Sequence, residues 1–198
     1  AWDIEPPQDP EAVQFLADVF VESGFEIKPV LRALFNSDFF KESAYQKVRN
    51  PVEIVASTLK LTGDIVGPDP RIEITSKEPG YMGQDFLEPP SVEGWHTGKE
   101  WINSGSLVKR INFVADRVGN VELPGIQDIV RRVAGEDKAM TAEVLVDRCL
   151  DQMGPLELTE LSHKELLDQV ETDGPISYDT EKSYANFAQR VGSTLALI

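Results

Sequence analysis

Apolar residues return at helical spacing through most of the chain. Val13, Leu16, Ala17, Phe20 and Val21 follow Asp9-Pro10, a capping side chain with proline at the first helical position, and Gly24 closes the run. Residues 1–8, with Pro6-Pro7, read as an extended lead-in. A second helix is expected from Lys28-Pro29 through Val30, Leu31, Leu34 and Phe35, broken at Asn36-Ser37, with one more short turn at Asp38-Phe39-Phe40. Asn50-Pro51 repeats the cap-and-proline device ahead of Val52, Val55, Ala56 and Leu59, up to Gly63.

From 67 to 100 the periodicity stops. Proline and glycine crowd this stretch, and only Arg71-Ile72-Glu73-Ile74-Thr75 alternates in the manner of a short strand. A long ordered loop of this kind is uncommon inside a domain and tends to be functional or a structural plug. Helical spacing resumes near Trp101 and runs through Leu107, Val108, Ile111, Val114, Ala115 and Val118 to Gly119. A Leu123-Pro124-Gly125 turn precedes helices expected at 126–134, 141–153 (capped by Thr141), 159–170 and 178–197. The expected fold is all-α: about eight helices in an irregular bundle, one domain over 1–198, with one long Gly/Pro/Trp-rich loop. A chain opening Ala1-Trp2-Asp3, with no initiator Met, reads as an excised fragment.

Charge narrows the partners. The chain carries 34 acidic and 19 basic residues, a formal net charge of −15. The bases are scattered, with Lys109-Arg110 and Arg131-Arg132 as the longest runs. Phosphate backbones and anionic membrane surfaces are therefore poor partners. Residues 121–181 hold 15 acids against 5 bases; this reads as a solvated, self-repelling surface. No apolar run reaches the roughly 18–20 residues of a membrane-spanning helix.

Catalytic and metal-binding patterns fail one by one. Cys149 is the only cysteine and shares an apolar stripe with Leu145 and Val146, so it reads as a buried structural thiol. His96 and His163 belong to no metal-binding spacing. The stretch from Gln169 to Gly174 echoes a calcium loop but lacks its first carboxylate and its bidentate glutamate. Ser57-Thr58-Leu59-Lys60 and Ser106-Leu107-Val108-Lys109 match SxxK, yet the middle motif of penicillin-recognising enzymes is missing and a helical pattern cannot build their sheet. Phosphate-binding glycine loops are missing as well. No metal and no cofactor is expected.

One passage is distinctive. It contains Met82-Gly83-Gln84, then Leu87-Glu88-Pro89-Pro90-Ser91-Val92-Glu93-Gly94-Trp95-His96, then Gly98-Lys99-Glu100-Trp101-Ile102, and the following helix carries Arg110-Ile111-Asn112-Phe113. Tryptophans anchor, prolines extend and glycines allow positive φ or close approach. Gln84, His96 and Lys99 are its most interesting polar groups, and Asn103 or Ser104 suits a cap for the helix that follows.

This passage resembles the signature of the bacterial "domain of unknown function 1800" family, in which M-G-Q, L-x-x-P-P-x-V-x-G-W, G-x-x-W-I and L-x-x-R-x-N-F recur. The upstream run from Ser23 to Ser37 and Asn50-Pro51-Val52-Glu53 also resemble that family. The likeness is good over residues 10–115 and loose over 120–198. His96-Thr97 departs from it, since small residues are usual there. The resemblance implies a C-terminal portion of a longer exported protein, periplasmic or extracytoplasmic, and implies no chemistry. Two readings follow. The first is a non-catalytic scaffold or interaction module with an unknown protein or polymer partner. The alternative is a glycan- or polymer-binding or hydrolytic site on the 81–103 loop, lined by Tyr81, Gln84 and Trp95 with Asp85, Glu88 or Glu93 nearby.

Overall fold

Proline lacks a backbone donor, which matters least at the start of a helix, and the chain uses this repeatedly. The computed structural model describes residues 9–44, 47–95, 97–154, 156, 158–172 and 174–198. They form two compact units, one of residues 1–50 and 88–103, the other of 51–87 and 104–198.

The smaller unit holds α1 (Pro10–Glu22), α2 (Ile27–Asn36) and α3 (Asp38–Glu42). Asp9 Oδ1 accepts the Glu11 and Ala12 amides at 3.0 and 3.1 Å, the expected cap. Ser37 both ends α2 and caps α3 through the Phe40 amide. After α1 the chain turns through Gly24 and Phe25, both at positive φ, and Phe25 meets Phe20 edge-on at 5.3 Å. That contact offsets the strain of a left-handed phenylalanine. None of the residues of α1, α2 or α3 is fully buried. Within the expected stripes Val13 and Val21 of α1 and Leu31 and Phe35 of α2 are exposed, as is Phe15 beside the first. A 3₁₀ turn, Gly98–Trp101, completes the unit.

The larger unit contains α4 (Pro51–Thr62), α5 (Arg71–Thr75), α6 (Glu78–Tyr81), α7 (Ser104–Val118), α8 (Pro124–Ala134), α9 (Ala142–Met153), α10 (Glu160–Glu171) and α11 (Glu181–Leu197). A two-stranded antiparallel ribbon pairs β1 (Ala139–Met140) with β2 (Ile176–Ser177). The molecule is mostly helical, as the spacing predicts. Thr141, Thr159 and Thr180 cap α9, α10 and α11 with their hydroxyls, and Thr180 forms a full capping box with Ser183. The main core joins Val118, Ile126, Ile129, Val133, Leu145, Val146, Cys149, Leu166, Phe187 and Val191. Each side chain of that size stabilises the fold by about 1.5–3 kcal/mol on burial.

Four local expectations need correction. Residues 71–75 are helix α5, not strand. Asp69 Oδ1 takes the Arg71 amide at 2.8 Å and Pro70 already has helical φ and ψ, so the turn starts before alternation matters. The Leu123-Pro124-Gly125 turn is the opening of α8, with Pro124 in its first turn. The last helix starts at Glu181, because Thr180 caps it and residues 176–177 are held in β2. In α7 the buried residues are Ser106, Arg110, Phe113 and Val118, whereas Leu107, Val108 and Ile111 are exposed. The helix carries two adjacent stripes, and α4 and α11 pack on the one containing Phe113.

Candidate functional site

The M-G-Q motif is a device for folding the chain back onto α4. Pro79 starts α6, and the Met82 and Gln84 amides both donate to its carbonyl, at 3.0 and 2.8 Å. Gly83 sits between them at φ 98°, a value that non-glycine residues rarely adopt. The reversal sends Met82 inward, where it is 1% exposed and packs with Val55 and Phe113. It sends Gln84 to the start of α4, where its Oε1 accepts the Val52 amide at 3.0 Å. Pro51 has no amide to satisfy, so Val52 carries the first donor of α4, and a side chain from 32 residues away serves as its cap. Gln84 is 6% exposed. Its carboxamide oxygen is thereby committed to the helix.

Two further polar networks brace this region. Arg71 donates to both carboxylate oxygens of Asp69 and to Asp64 Oδ1 and its carbonyl oxygen, the last two at 2.6 Å. The hydrogen bonds from Arg71 hold the Asp69 carboxyl below the usual carboxylate range. Asp64 also pairs with Arg117 at 3.5 Å, and the Arg117 guanidinium lies over the Phe113 ring at 3.7 Å. The loop from 63 to 71 is thus tied to α7.

The remaining signature residues divide by unit. Arg110 is 5% exposed on α7, and burial pushes its guanidinium pKa down from the ordinary value. Asn112 lies on an exposed face of the same helix. Tyr81 is exposed with the Lys109 ammonium 5.9 Å from its ring centroid. In the smaller unit Pro89 and Pro90 are exposed and Ser91 to Gly94 form a tight turn, the Gly94 amide donating to the Ser91 carbonyl at 3.1 Å. Trp95 is half-buried, its indole nitrogen enclosed without a hydrogen-bond partner among the described residues. Gly98 and Trp101 are buried and Lys99 is exposed. His96 lies outside the described residues. Within the larger unit, then, Met82 and Gln84 are directed into the packing of α4 and α7 instead of toward solvent.

The other candidates resolve simply. Cys149 is fully buried, and burial pushes its thiol up to about 12. His163 on α10 is part-exposed and stands 3.9 Å from Asp147. Ser57, the first residue of one SxxK match, donates to the Ile54 carbonyl within its own helix, and Ser106 of the other is buried. No group of three or more His, Cys, Asp or Glu among the described residues is placed to hold a metal ion. No described helix is long and apolar enough to cross a membrane.

The sequence reading overlooked two cavities. One, of about 260 Å³, is an apolar groove between α4, α5 and α6 lined by Val55, Leu59, Ile65, Ile72, Pro79 and Phe86. Reading 71–75 as a strand concealed it. The other lies along α11 and β2. Leu87 is also notable: it is exposed, non-glycine and at φ 67°, in a region that costs a leucine roughly 1–2 kcal/mol.

Similarity to known proteins agrees with the signature. A family model described as "Protein of unknown function (DUF1800)" matches residues 3–197. The chain belongs to the DUF1800 family. The match takes in the acidic C-terminal half as well as the M-G-Q and tryptophan motifs. No curated protein and no solved structure matches the chain. In this DUF1800 protein the M-G-Q motif has a structural use, and the conformation of Gly83 explains its spacing.

Proposed function

We propose that this DUF1800 chain is a non-catalytic helical module, serving as a scaffold or interaction part of a larger exported bacterial protein in the periplasm or outside the cytoplasm. The observation that carries the reading is the use of Gln84: the most chemically suggestive side chain of the signature holds the Val52 amide at the start of α4. Met82 beside it belongs to the packing of Val55 and Phe113. Support for an interaction role comes from apolar side chains left in solvent on α1, α2 and α7, among them Phe15, Phe35, Val108 and Ile111. Exposed apolar surface on a highly charged protein suits contact with another protein surface. For the alternative on the 81–103 loop, Gln84 is committed to the Val52 amide, while Tyr81 is exposed and Trp95 half-buried.

Thermal melts test this. Met82→Ala removes a fully buried side chain and should cost about 2–5 kcal/mol. Gln84→Ala removes a helix cap and leaves a buried amide unmet, for about 1–2 kcal/mol. At roughly 2–4 °C per kcal/mol for a chain of this size, both Tm values should fall, Met82→Ala further. Wild-type Tm in both variants would remove the structural reading of the motif and reopen the loop as a ligand site.

A further inference from the structure

The larger unit has a second cavity that the signature does not touch. It lies between β2 and the exposed side of α11, measures about 440 Å³, and is lined by Ser177, Asn186, Phe187, Gln189, Arg190 and Ser193, among others. That volume falls in the range of small-molecule sites. Asn186, Gln189, Arg190 and Ser193 follow helical spacing, so one stretch of α11 supplies most of the polar wall. We propose that this cavity binds a neutral, polyhydroxylated ligand, a sugar unit of a larger glycan or a free saccharide.

The argument rests on the kinds of groups present. Ser177, Asn186, Gln189 and Ser193 offer two hydroxyls and two carboxamides, each able to donate and accept, which is the pairing that sugar hydroxyls need. No side chain of the four is engaged with the protein among the described residues. Phe187, 1% exposed and stacked on Tyr178 at 4.3 Å, belongs to the core and only floors the cavity. Among the described residues no carboxylate lines the cavity. The one charged group among them is Arg190, whose Nη1 donates to the Gly174 and Pro175 carbonyls at 3.0 and 3.3 Å, and whose Nη2 donates to Gly174 and Val170. Both terminal nitrogens of the guanidinium are therefore occupied by main-chain carbonyls, and its Nε is enclosed without a hydrogen-bond partner among the described residues. An anion would find no exposed free charged donor, in a chain of net charge −15. An extended peptide would find only a two-residue strand edge at Ile176–Ser177.

The test is a titration of the ¹⁵N-labelled chain followed by amide chemical shifts. The probes are D-glucose and N-acetyl-D-glucosamine, each up to about 100 mM, a range that reaches millimolar affinities. Sodium acetate and trialanine are run in parallel. The expected result is saturable shifts confined to residues 174–177 and 183–193 with at least one of the two sugars. The double variant Asn186→Ala/Ser193→Ala changes two exposed side chains, keeps the remaining spectrum, and should weaken that binding about tenfold through the lost hydrogen bonds. Three outcomes overturn the proposal: no saturable shift with either sugar, sugar shifts unchanged in the double variant, or a larger saturable shift with acetate or trialanine.

Discussion

At the scale of single residues, the chemistry of this chain is directed inward. Gln84 has the carboxamide expected of a recognition residue and uses its oxygen on the Val52 amide. Cys149 has the only thiol and is 0% exposed on the inward face of α9. With its thiol pushed up to about 12, essentially no thiolate exists near neutral pH. Native protein mixed with a disulfide reagent at about pH 8 should therefore release no stoichiometric thiol within minutes, and one equivalent after unfolding in guanidinium. Rapid reaction of the folded chain would show that α9 opens or that the thiol is exposed. Both residues are legible in sequence as to type, since Cys149 falls on the stripe of Leu145 and Val146. The target of Gln84 is not, because the two partners are 32 positions apart.

At the scale of elements, helix ends and close crossings set the architecture. Two arginines from neighbouring elements help finish helices. Arg148 donates to the Val133 and Ala134 carbonyls at 2.8 and 3.1 Å, ending α8, and Tyr178 adds a bond to Ala134 at 3.1 Å. Arg190 does the same for α10 through the Val170 carbonyl and also takes the Gly174 and Pro175 carbonyls just beyond it. Carbonyls at helix ends have no intrahelical donors, so a cationic side chain from a neighbouring element both satisfies them and fixes the pair. The crossing of α4 and α8 depends on Gly125. A Cβ there would overlap the Leu61 carbonyl oxygen and come within 2.7 Å of the Thr62 carbonyl carbon. Backbone cannot give way as a flexible side chain does. Gly125→Ala should therefore lower stability by about 2–4 kcal/mol, as overpacking against backbone does, despite the higher helix propensity of alanine. Urea unfolding at constant m-value checks it, and a variant as stable as wild type would mean that the two helices separate freely.

At the scale of the molecule, charge and exposed apolar surface pull in opposite directions. A net charge of −15 stabilises the dispersed state and destabilises the compact one by self-repulsion. Salt screens that repulsion, with a Debye length of roughly 30 Å at 0.01 M and 10 Å at 0.1 M. The Tm should rise by a few degrees between about 10 and 300 mM NaCl, because like-charge repulsion outweighs the exposed ion pairs, each worth about 1 kcal/mol or less. A Tm that falls with salt would mean that networks such as Asp64, Asp69 and Arg71 dominate the balance instead.

What the sequence by itself determined is local. Asp9 and Thr141 stand where the spacing calls for caps, and each accepts a backbone amide at the start of its helix. Apolar spacing locates the long helices, and the signature residues point to the family. These follow from backbone preference and periodicity, which depend on residues within a few positions of one another. Tertiary structure alone decided which stripe of α7 turned inward, how Ala139–Met140 found Ile176–Ser177, and which helix Gln84 would cap. Each of those outcomes rests on partners tens of residues away. A pattern read along one segment records that a face or a donor is available, and only packing selects the partner that takes it.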